Sequence, residues 1–177
     1  MESKVIAAIK DELFDRALES VSKWIFDLSP DISTIREKAD SCHAAGKKYF
    51  VHFDLAAGIG KDKSGMLFAK EMGIDGIIST RVNIIKMAKE LGLHTVQRFF
   101  IVDSHSIDTT LEAVKSAKPD MIEVMPGIMP KVIKKLCSAT KAPIIAGGLI
   151  ETEAELCEAV ASGAVAVSTS RAELWKI

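Results

Sequence analysis

The sequence predicts an α/β protein, a short (β/α)8 barrel in a single domain spanning residues 1–177. Two observations carry this prediction. Short apolar runs alternate eight times with segments whose apolar residues recur at helical spacing. The runs are almost wholly apolar, as parallel strands covered by helices must be. The last two runs also end at small residues, where such barrels usually bind phosphate.

The eight runs set the expected strands. They occupy residues 5–9, 24–28, 49–55, 76–78, 95–102, 121–124, 143–146 and 164–167. A doubly wound sheet would share this alternation, but eight units and the paired turns in units seven and eight favour the barrel. Because 177 residues is short for a fold that typically needs about 250, we expect minimal loops and a truncated last helix.

Composition narrows the class of protein. The net charge is −1, yet the segment of residues 81–141 holds ten basic and six acidic residues. The three cysteines, an odd number without paired spacing, indicate reduced thiols in a cytoplasmic protein. No apolar run approaches the roughly 20 residues needed to cross a bilayer, and no signal peptide is recognisable. We expect no membrane partner, and a homo-oligomer is compatible with these features.

A phosphate site is predicted at the ends of strands seven and eight. Helix starts follow both turns, and Thr152 with Glu155, like Ser170 with Glu173, has the spacing of a capping box. Helix N-termini and glycine turns present N–H groups to anions. The structural alternative is that the glycines only form a turn that needs positive φ and that the polar residues after each turn only cap helices. The expected phosphate-binding residues are Gly147, Gly148, Ser168, Thr169 and Ser170.

Four polar side chains lie in or just after otherwise apolar strands, where an unpaired charge is costly. We expect them to bind ligand hydroxyls; they are His52, Asp54, Arg98 and Glu123. Three alternatives stay open: a satisfied core histidine, an internal ion pair between Arg98 and Glu123, and a cation held by Asp54 and Glu123. No spacing demands a metal or cofactor, and no catalytic residue is assigned.

The rim of this site is expected to hold Lys10, Lys61 and Arg81. Lys61 follows two glycines, Gly58 and Gly60, but the segment lacks the full phosphate-loop spacing. A flexible loop, acting as a lid, is the favoured interpretation of that segment.

A basic helical face is the remaining charged feature. Lys131, Lys134 and Lys135 lie on predicted helix six and Lys141 follows it. They form either a solvated face or a contact with a polyanion such as RNA. Aromatic residues are scarce, and Trp24 is expected in the core, so no stacking platform for bases is predicted.

Several segments, in this order, resemble the glycerol-3-phosphate responsive antiterminator family of bacteria. They cover nearly the whole chain and in combination are specific. They are VIAAIKD at residues 5–11, VHFDL at 51–55 with GKD at 60–62, DGIISTR at 75–81, QR at 97–98, DS at 103–104, PDMIEVMPG at 119–127, PIIAGGLI at 143–150 and AVSTS at 166–170.

The resemblance implies a short barrel that binds sn-glycerol 3-phosphate and acts on leader mRNA. Such a protein prevents early termination of transcripts for glycerol uptake and metabolism. The two turns would then hold the phosphate, and the four polar side chains would face the glycerol. The alternatives are a barrel enzyme acting on a small phosphorylated substrate (an isomerase, aldolase or phosphodiesterase) and a barrel that is only an interaction surface. The resemblance favours the regulator.

Overall fold

The computed structural model describes residues 3–176, apart from the side chain of Asp11, and shows a closed barrel of eight parallel strands. The strands pair in chain order and β8 closes onto β1, with Val5 opposite Val167. This closure excludes the doubly wound sheet. The strands are β1 (Val5–Ile9), β2 (Trp24–Asp27), β3 (Lys48–His52), β4 (Gly76–Ser79), β5 (His94–Phe100), β6 (Met121–Met125), β7 (Ile144–Gly147) and β8 (Ala166–Thr169).

Seven α-helices cover the barrel, and the eighth unit ends in a 3-10 helix, Ala172–Lys176, as the short chain predicts. Two further 3-10 helices occur, Asp11–Leu13 and Phe53–Leu55. No helix in residues 3–176 is long and apolar enough to span a membrane. The α-helices are α1 (Phe14–Glu19), α2 (Ile35–Ala44), α3 (Lys63–Glu71), α4 (Val82–Glu90), α5 (Ser104–Ala117), α6 (Pro130–Ala139) and α7 (Glu153–Ala161).

Two separate apolar layers stabilise the barrel, because successive side chains of a strand point to opposite faces. The larger layer lies between the strands and the helices and includes Ile25, Ile77 and Ile84. The inner layer fills the barrel itself. It is formed by Ile6, Ala8, Phe26, Phe50, Ile78, Val96 and Ile145. The interior is therefore a packed core, and ligands can enter only at its two ends.

Two strand boundaries differ from the prediction in ways that matter for the site. β3 ends at His52, and the expected continuation to residue 55 is instead the 3-10 helix Phe53–Leu55. β8 begins at Ala166, two residues later than expected, and runs through Thr169. Apolar character alone could not place these ends, since Phe53 and Leu55 are apolar outside β3, whereas Ser168 and Thr169 are polar within β8.

Candidate functional site

A cavity of about 260 Å³ opens at the carboxyl end of the barrel, between the loops that follow β7 and β8. The two turns predicted to bind phosphate both line it, so the fold brings them together. At its base lie Arg98 and Glu123. The other lining residues are Ala8, Leu28, Met125, Gly148, Leu149, Ile150, Glu151, Ser168, Thr169, Ser170 and Arg171.

Gly147 and Gly148 are glycines for two different physical reasons. Gly147 is the last residue of β7, and a Cβ there would lie 2.5 Å from Glu123 Oε1 and 2.6 Å from Ser168 Oγ. Only glycine leaves room for the polar cluster behind it. Gly148 has φ +74°, and its Cβ would meet Met125 Cε at 2.7 Å. The positive φ expected of the turn is therefore found at Gly148.

Leu149 continues the left-handed backbone of Gly148. Its φ is 61°, a conformation that costs a non-glycine residue free energy, and its side chain is 64% exposed. Burial of the leucine does not offset this cost. Such strain is typical of loops whose shape serves binding, and this loop forms one wall of the cavity.

The three residues of the Ser-Thr-Ser turn have different roles: some line the cavity, and Thr169 fixes the surrounding loops. Ser168 Oγ points into the barrel and donates to Glu123 Oε1 at 2.5 Å. Thr169 Oγ1 donates to the carbonyl of Ile150 at 2.7 Å, which ties the β8 turn to the β7 loop. The Thr169 carbonyl accepts a hydrogen bond from Trp175 Nε1 at 2.8 Å. Thr169 thus holds the two loops in place, and exposed Ser170 lies at the rim.

The N-terminus of α7 is not free to bind an anion. The capping box at α7 is confirmed: Thr152 Oγ1 accepts from the Glu155 N–H, and Glu155 Oε2 accepts from the N–H groups of Glu151 and Thr152. A carboxylate of the chain already occupies these donors. The second predicted box, Ser170 with Glu173, is wrong, because residues 172–176 form a 3-10 helix and Glu173 pairs with Arg16.

Arg98 and Glu123 form a buried ion pair at the base of the cavity. They are directly opposite in the β5–β6 register, and Arg98 Nε donates to Glu123 Oε2 at 2.6 Å. Their exposed fractions are 7% and 1%. The pair both neutralises two buried charges and lines the cavity, so the two interpretations of these residues are not exclusive.

His52 lies at the inner end of β3 and is 5% exposed, and its Nδ1 has no partner among the described residues. Burial lowers the pKa of His52, and the positive charge of Arg98 lowers it further. The ring is therefore neutral near pH 7. An orphaned polar atom buried beside charged groups is costly unless a ligand or water satisfies it.

Asp54 does not act with His52 as expected, because the chain leaves the strand after His52. Its carboxylate accepts from Ser79 Oγ at 2.7 Å and from the Thr80 N–H at 2.8 Å. Burial opposes its ionisation, but the hydrogen bonds from Thr80 and Ser79 outweigh burial and hold the pKa of Asp54 below its usual value. Asp54 and Glu123 serve different clusters, which excludes the shared cation.

Of the three rim cations, Lys61 and Arg81 lie beside Asp54. Lys61 Nζ donates to the carbonyls of Ala56 and Ile59, and Arg81 Nε is 3.9 Å from Asp54 Oδ1. Lys61 therefore stabilises its own loop and does not project toward a ligand. Lys10 is exposed and lines a depression next to the cavity, which it shares with Ser170.

The loop after β3 is fixed against its neighbour rather than poised as a lid. The Ala57 N–H donates to the Pro30 carbonyl at 2.8 Å, and the Ile32 N–H donates to the Ala57 carbonyl at 3.0 Å. Ile59 within the loop is buried. The expectation of a flexible lid is wrong, since main-chain hydrogen bonds hold the loop to the one after β2.

The four lysines predicted to contact RNA lie away from this cavity. Lys131, Lys134 and Lys135 are exposed on α6, and Lys141 is exposed just before β7. No ion pair or hydrogen bond of these four side chains occurs within residues 3–176. They are available to an anionic partner, and nothing in their arrangement selects one.

Sequence reasoning missed three contributors to the site. Arg171 pairs with Glu151 across the mouth and joins the β7 and β8 loops. Met125 packs against Gly148. The Gly127 N–H donates to the Gly148 carbonyl at 3.0 Å, which adds the β6 loop to the same wall. Arg171 directly follows the Ser-Thr-Ser turn, so its place at the rim was open to inference from the sequence.

Comparison with known proteins gives relatives along the whole chain. The model of the glycerol-3-phosphate responsive antiterminator family matches residues 5–175. The uncharacterised protein YgcP of Escherichia coli K12 is 36% identical over 178 residues, which covers 99% of this chain and 93% of YgcP.

Two solved structures are similar in both sequence and fold. The glycerol uptake operon antiterminator regulatory protein of Listeria monocytogenes has a TM-score of 0.89 and 34% identity, covering 96% of this chain and 93% of its own. The antiterminator-related protein of Thermotoga maritima has a TM-score of 0.88 and 33% identity over 100% of both chains. A deoxyribose phosphate aldolase from Aeropyrum pernix, at TM-score 0.74 but 14% identity over 97% and 87% of the two chains, shares the fold alone. This chain belongs to the glycerol-3-phosphate responsive antiterminator family.

Proposed function

We propose that this protein is a ligand-responsive transcription antiterminator. It binds sn-glycerol 3-phosphate in the cavity at the carboxyl end of the barrel and acts on the leader mRNA of glycerol-utilisation genes. The observation that carries the proposal is the joint lining of one small cavity by the β7 and β8 turns, with buried Arg98 and Glu123 at its base. Family membership supports the same role.

Charge decides how the ligand lies in the cavity. A phosphate dianion is repelled by the Glu123 carboxylate, and Arg98 already compensates that carboxylate at 2.6 Å. The phosphate therefore lies toward the loops, near Gly148 and Ser170, where Arg171 can turn from Glu151 to meet it. Loop N–H groups hold it there, because Glu155 occupies those at the α7 N-terminus.

The glycerol hydroxyls take the inner position. A carboxylate is a strong hydrogen-bond acceptor, so a hydroxyl can donate to Glu123 without adding charge to the site. The unpartnered Nδ1 of His52 offers a second polar contact on the same side of the barrel. Both groups favour a polyol over an apolar ligand tail, because an apolar group would leave them unsatisfied.

Aldolase chemistry, the main enzymatic alternative, lacks support in the described residues. A Schiff-base mechanism needs a lysine amine desolvated inside the site. The two buried lysines of residues 3–176 lie elsewhere: Lys38 pairs with Asp27 at 2.9 Å, and Lys47 donates to the carbonyls of Ser20 and Ser22. We therefore propose a binding protein and assign no catalytic residue.

Calorimetry of the purified protein with sn-glycerol 3-phosphate tests the ligand, with glycerol and inorganic phosphate as controls. We expect saturable binding of the phosphate ester and much weaker binding of either fragment, since each satisfies only half of the cavity. Equal affinity for inorganic phosphate would refute the hydroxyl-binding role. No heat with any of the three would refute the ligand itself.

A further inference from the structure

A second cavity lies at the opposite end of the barrel from the proposed ligand site. Its volume is about 370 Å³, and it opens among the residues that begin the strands. Ser3, Lys23 and exposed Val165 lie at its edge. Trp24, Met121 and Pro143 are among the residues that line its wall. Because the barrel interior is packed, this cavity and the ligand cavity are separate sites.

Trp24 packs against the inner layer of the core, as expected, but it also lines this cavity. Trp24 is partly buried and stacks on Phe50 with ring centroids 4.7 Å apart and planes 16° apart. The Phe50 ring lies against the backbone of Gly76, which has no side chain to displace it: a Cβ at Gly76 would be 2.4 Å from Phe50 Cε1. One stacked pair is thus fixed within the barrel, with the indole at its outer end.

A ring of basic side chains surrounds the same end, because an exposed lysine or histidine lies at or just before the start of most strands. They are Lys4, Lys23, Lys48, His94, Lys118 and Lys141. Exposed Glu19, Glu71 and Glu90 end helices at this side of the barrel. The two carboxylates that directly precede strands there are both engaged. Asp75 accepts from Lys48 and the Tyr49 N–H, and Asp120 accepts from Thr95 and Lys89.

Helix dipoles explain only part of this ring. Helix C-termini lie at this end of a (β/α)8 barrel, and they favour nearby cations. Lys4, however, lies directly before β1 and follows no helix of residues 3–176, and Lys23 lies four residues beyond the end of α1. Dipoles also give no reason for a partly exposed tryptophan over a cavity. The combination of cations around an aromatic floor is typical of proteins that bind single-stranded nucleic acid.

We propose that this end of the barrel binds single-stranded RNA, with one unstacked base on Trp24 and the flanking phosphates on the lysine ring. This inference rests on the proposed antiterminator function and names the surface through which it acts. It places the RNA at the end opposite the small ligand. The outer face of α6, with Lys131, Lys134 and Lys135, has cations but no exposed aromatic ring on that helix, so it offers charge without stacking.

Binding of a random-sequence single-stranded RNA pool, measured by filter retention over a range of salt concentrations, tests the surface. Trp24→Leu removes the stacking ring, and Trp24→Phe retains one. Lys4→Gln/Lys23→Gln removes two charges from the ring. Lys131→Gln/Lys134→Gln removes the same charge from α6 and is the matched control. Thermal unfolding of each variant checks that it folds.

We expect Trp24→Leu to weaken RNA binding by about tenfold or more, and Trp24→Phe by much less, as stacking on an aromatic ring supplies most of that binding free energy. The Lys4/Lys23 variant should lower the slope of log affinity against log salt by about 0.7 for each phosphate that it no longer neutralises. The α6 variant should leave both quantities unchanged.

Three results would overturn this assignment in distinguishable ways. Loss of binding in the α6 variant, with full binding in the Trp24 and Lys4/Lys23 variants, refutes this surface and leaves the antiterminator function intact. Equal loss in both lysine variants shows non-specific attraction and also refutes it. Absence of RNA binding by the wild-type protein, with and without sn-glycerol 3-phosphate, refutes the RNA-binding function itself. If Trp24→Leu does not fold, the lysine variants and Trp24→Phe still show whether this end of the barrel binds RNA.

Discussion

Glu123 organises the base of the ligand cavity at the scale of single residues. One carboxylate oxygen accepts from Arg98 and the other from Ser168, and Gly147 has no side chain so that this carboxylate can approach. A buried carboxylate held in this way is fixed in position and satisfied. The negative charge at the base favours the proposed position of the phosphate at the outer loop, so we expect Gly148 to be the position most sensitive to an added charge.

Two substitutions at Gly148 separate the effect of an added charge on ligand affinity from the effect of an added side chain. Gly148→Asp introduces a carboxylate beside the proposed phosphate, and we expect sn-glycerol 3-phosphate affinity to fall at least about a hundredfold, from like-charge repulsion in a partly desolvated cavity. Gly148→Asn has the same size and tolerates positive φ equally well. Calorimetry on both variants should therefore show a far smaller loss for asparagine. Equal losses would place the phosphate elsewhere.

Asp54 gives a pH-dependent prediction. Its pKa is lower in the folded than in the unfolded chain, so the stabilisation it supplies is complete above the unfolded pKa of about 3.9 and is lost as pH falls through the folded pKa. Asp54→Asn should lower the free energy of unfolding near pH 7 by about 1–2 kcal/mol. The unfolding free energies of wild type and variant, from denaturant titrations, should begin to converge near pH 4 and meet below the folded pKa of Asp54. A difference that persists in acid would assign the effect to packing.

At the scale of elements, the N-terminus of α7 shows that a sequence pattern can predict a helix cap correctly and still not predict a free anion-binding site. The Thr152–Glu155 box was predictable and is present, yet it consumes the N–H groups that the phosphate prediction relied on. Local spacing identifies a cap, but whether its donors remain open depends on which way a side chain turns.

The ends of the strands also show which features a sequence predicts and which it does not. The eight strands and their order could be predicted from apolar runs, and so could the convergence of the last two turns. The end of β3 could not, because Phe53 and Leu55 are as apolar as strand residues although they belong to a 3-10 helix. That three-residue difference takes Asp54 out of the strand, and its carboxylate accepts hydrogen bonds from Ser79 and Thr80 after β4. Site geometry is thus less predictable than topology, since it depends on where each strand stops.

The α7 cap can be tested apart from ligand binding. Thr152→Ala removes the side-chain oxygen that accepts from the Glu155 N–H, and should cost about 1 kcal/mol of stability. Because the proposed phosphate position uses loop N–H groups and not those of α7, affinity for sn-glycerol 3-phosphate should stay within about twofold of wild type. Thermal unfolding and calorimetry on the same variant check both expectations. A large loss of affinity would instead show that the N-terminus of α7 takes part in ligand binding.

The whole molecule is a short barrel with two different ends. At the end that holds the proposed ligand cavity, Asp62 and Asp103 cap α3 and α5, whereas exposed lysines surround the opposite cavity. Inward-facing residues two positions apart on one strand connect them: Met121 with Glu123 on β6, and Phe50 with His52 on β3. Two residues of strand span about 7 Å, so a shift at one end need travel only a short distance to reach the other.

Coupling between the two ends must be reciprocal if the protein is a ligand-responsive regulator. Whatever factor sn-glycerol 3-phosphate contributes to RNA affinity, bound RNA must contribute to sn-glycerol 3-phosphate affinity, since both arise from one coupling free energy, typically about 1–3 kcal/mol. RNA titrations at zero and saturating ligand, and ligand titrations at zero and saturating RNA, measure the two factors independently. We expect equal factors of about 5–150. Gly148→Asp should abolish the RNA response to the ligand while leaving ligand-free RNA binding unchanged, because the variant alters only the ligand end. An RNA affinity that is identical with and without the ligand in the wild-type protein would contradict ligand-responsive antitermination.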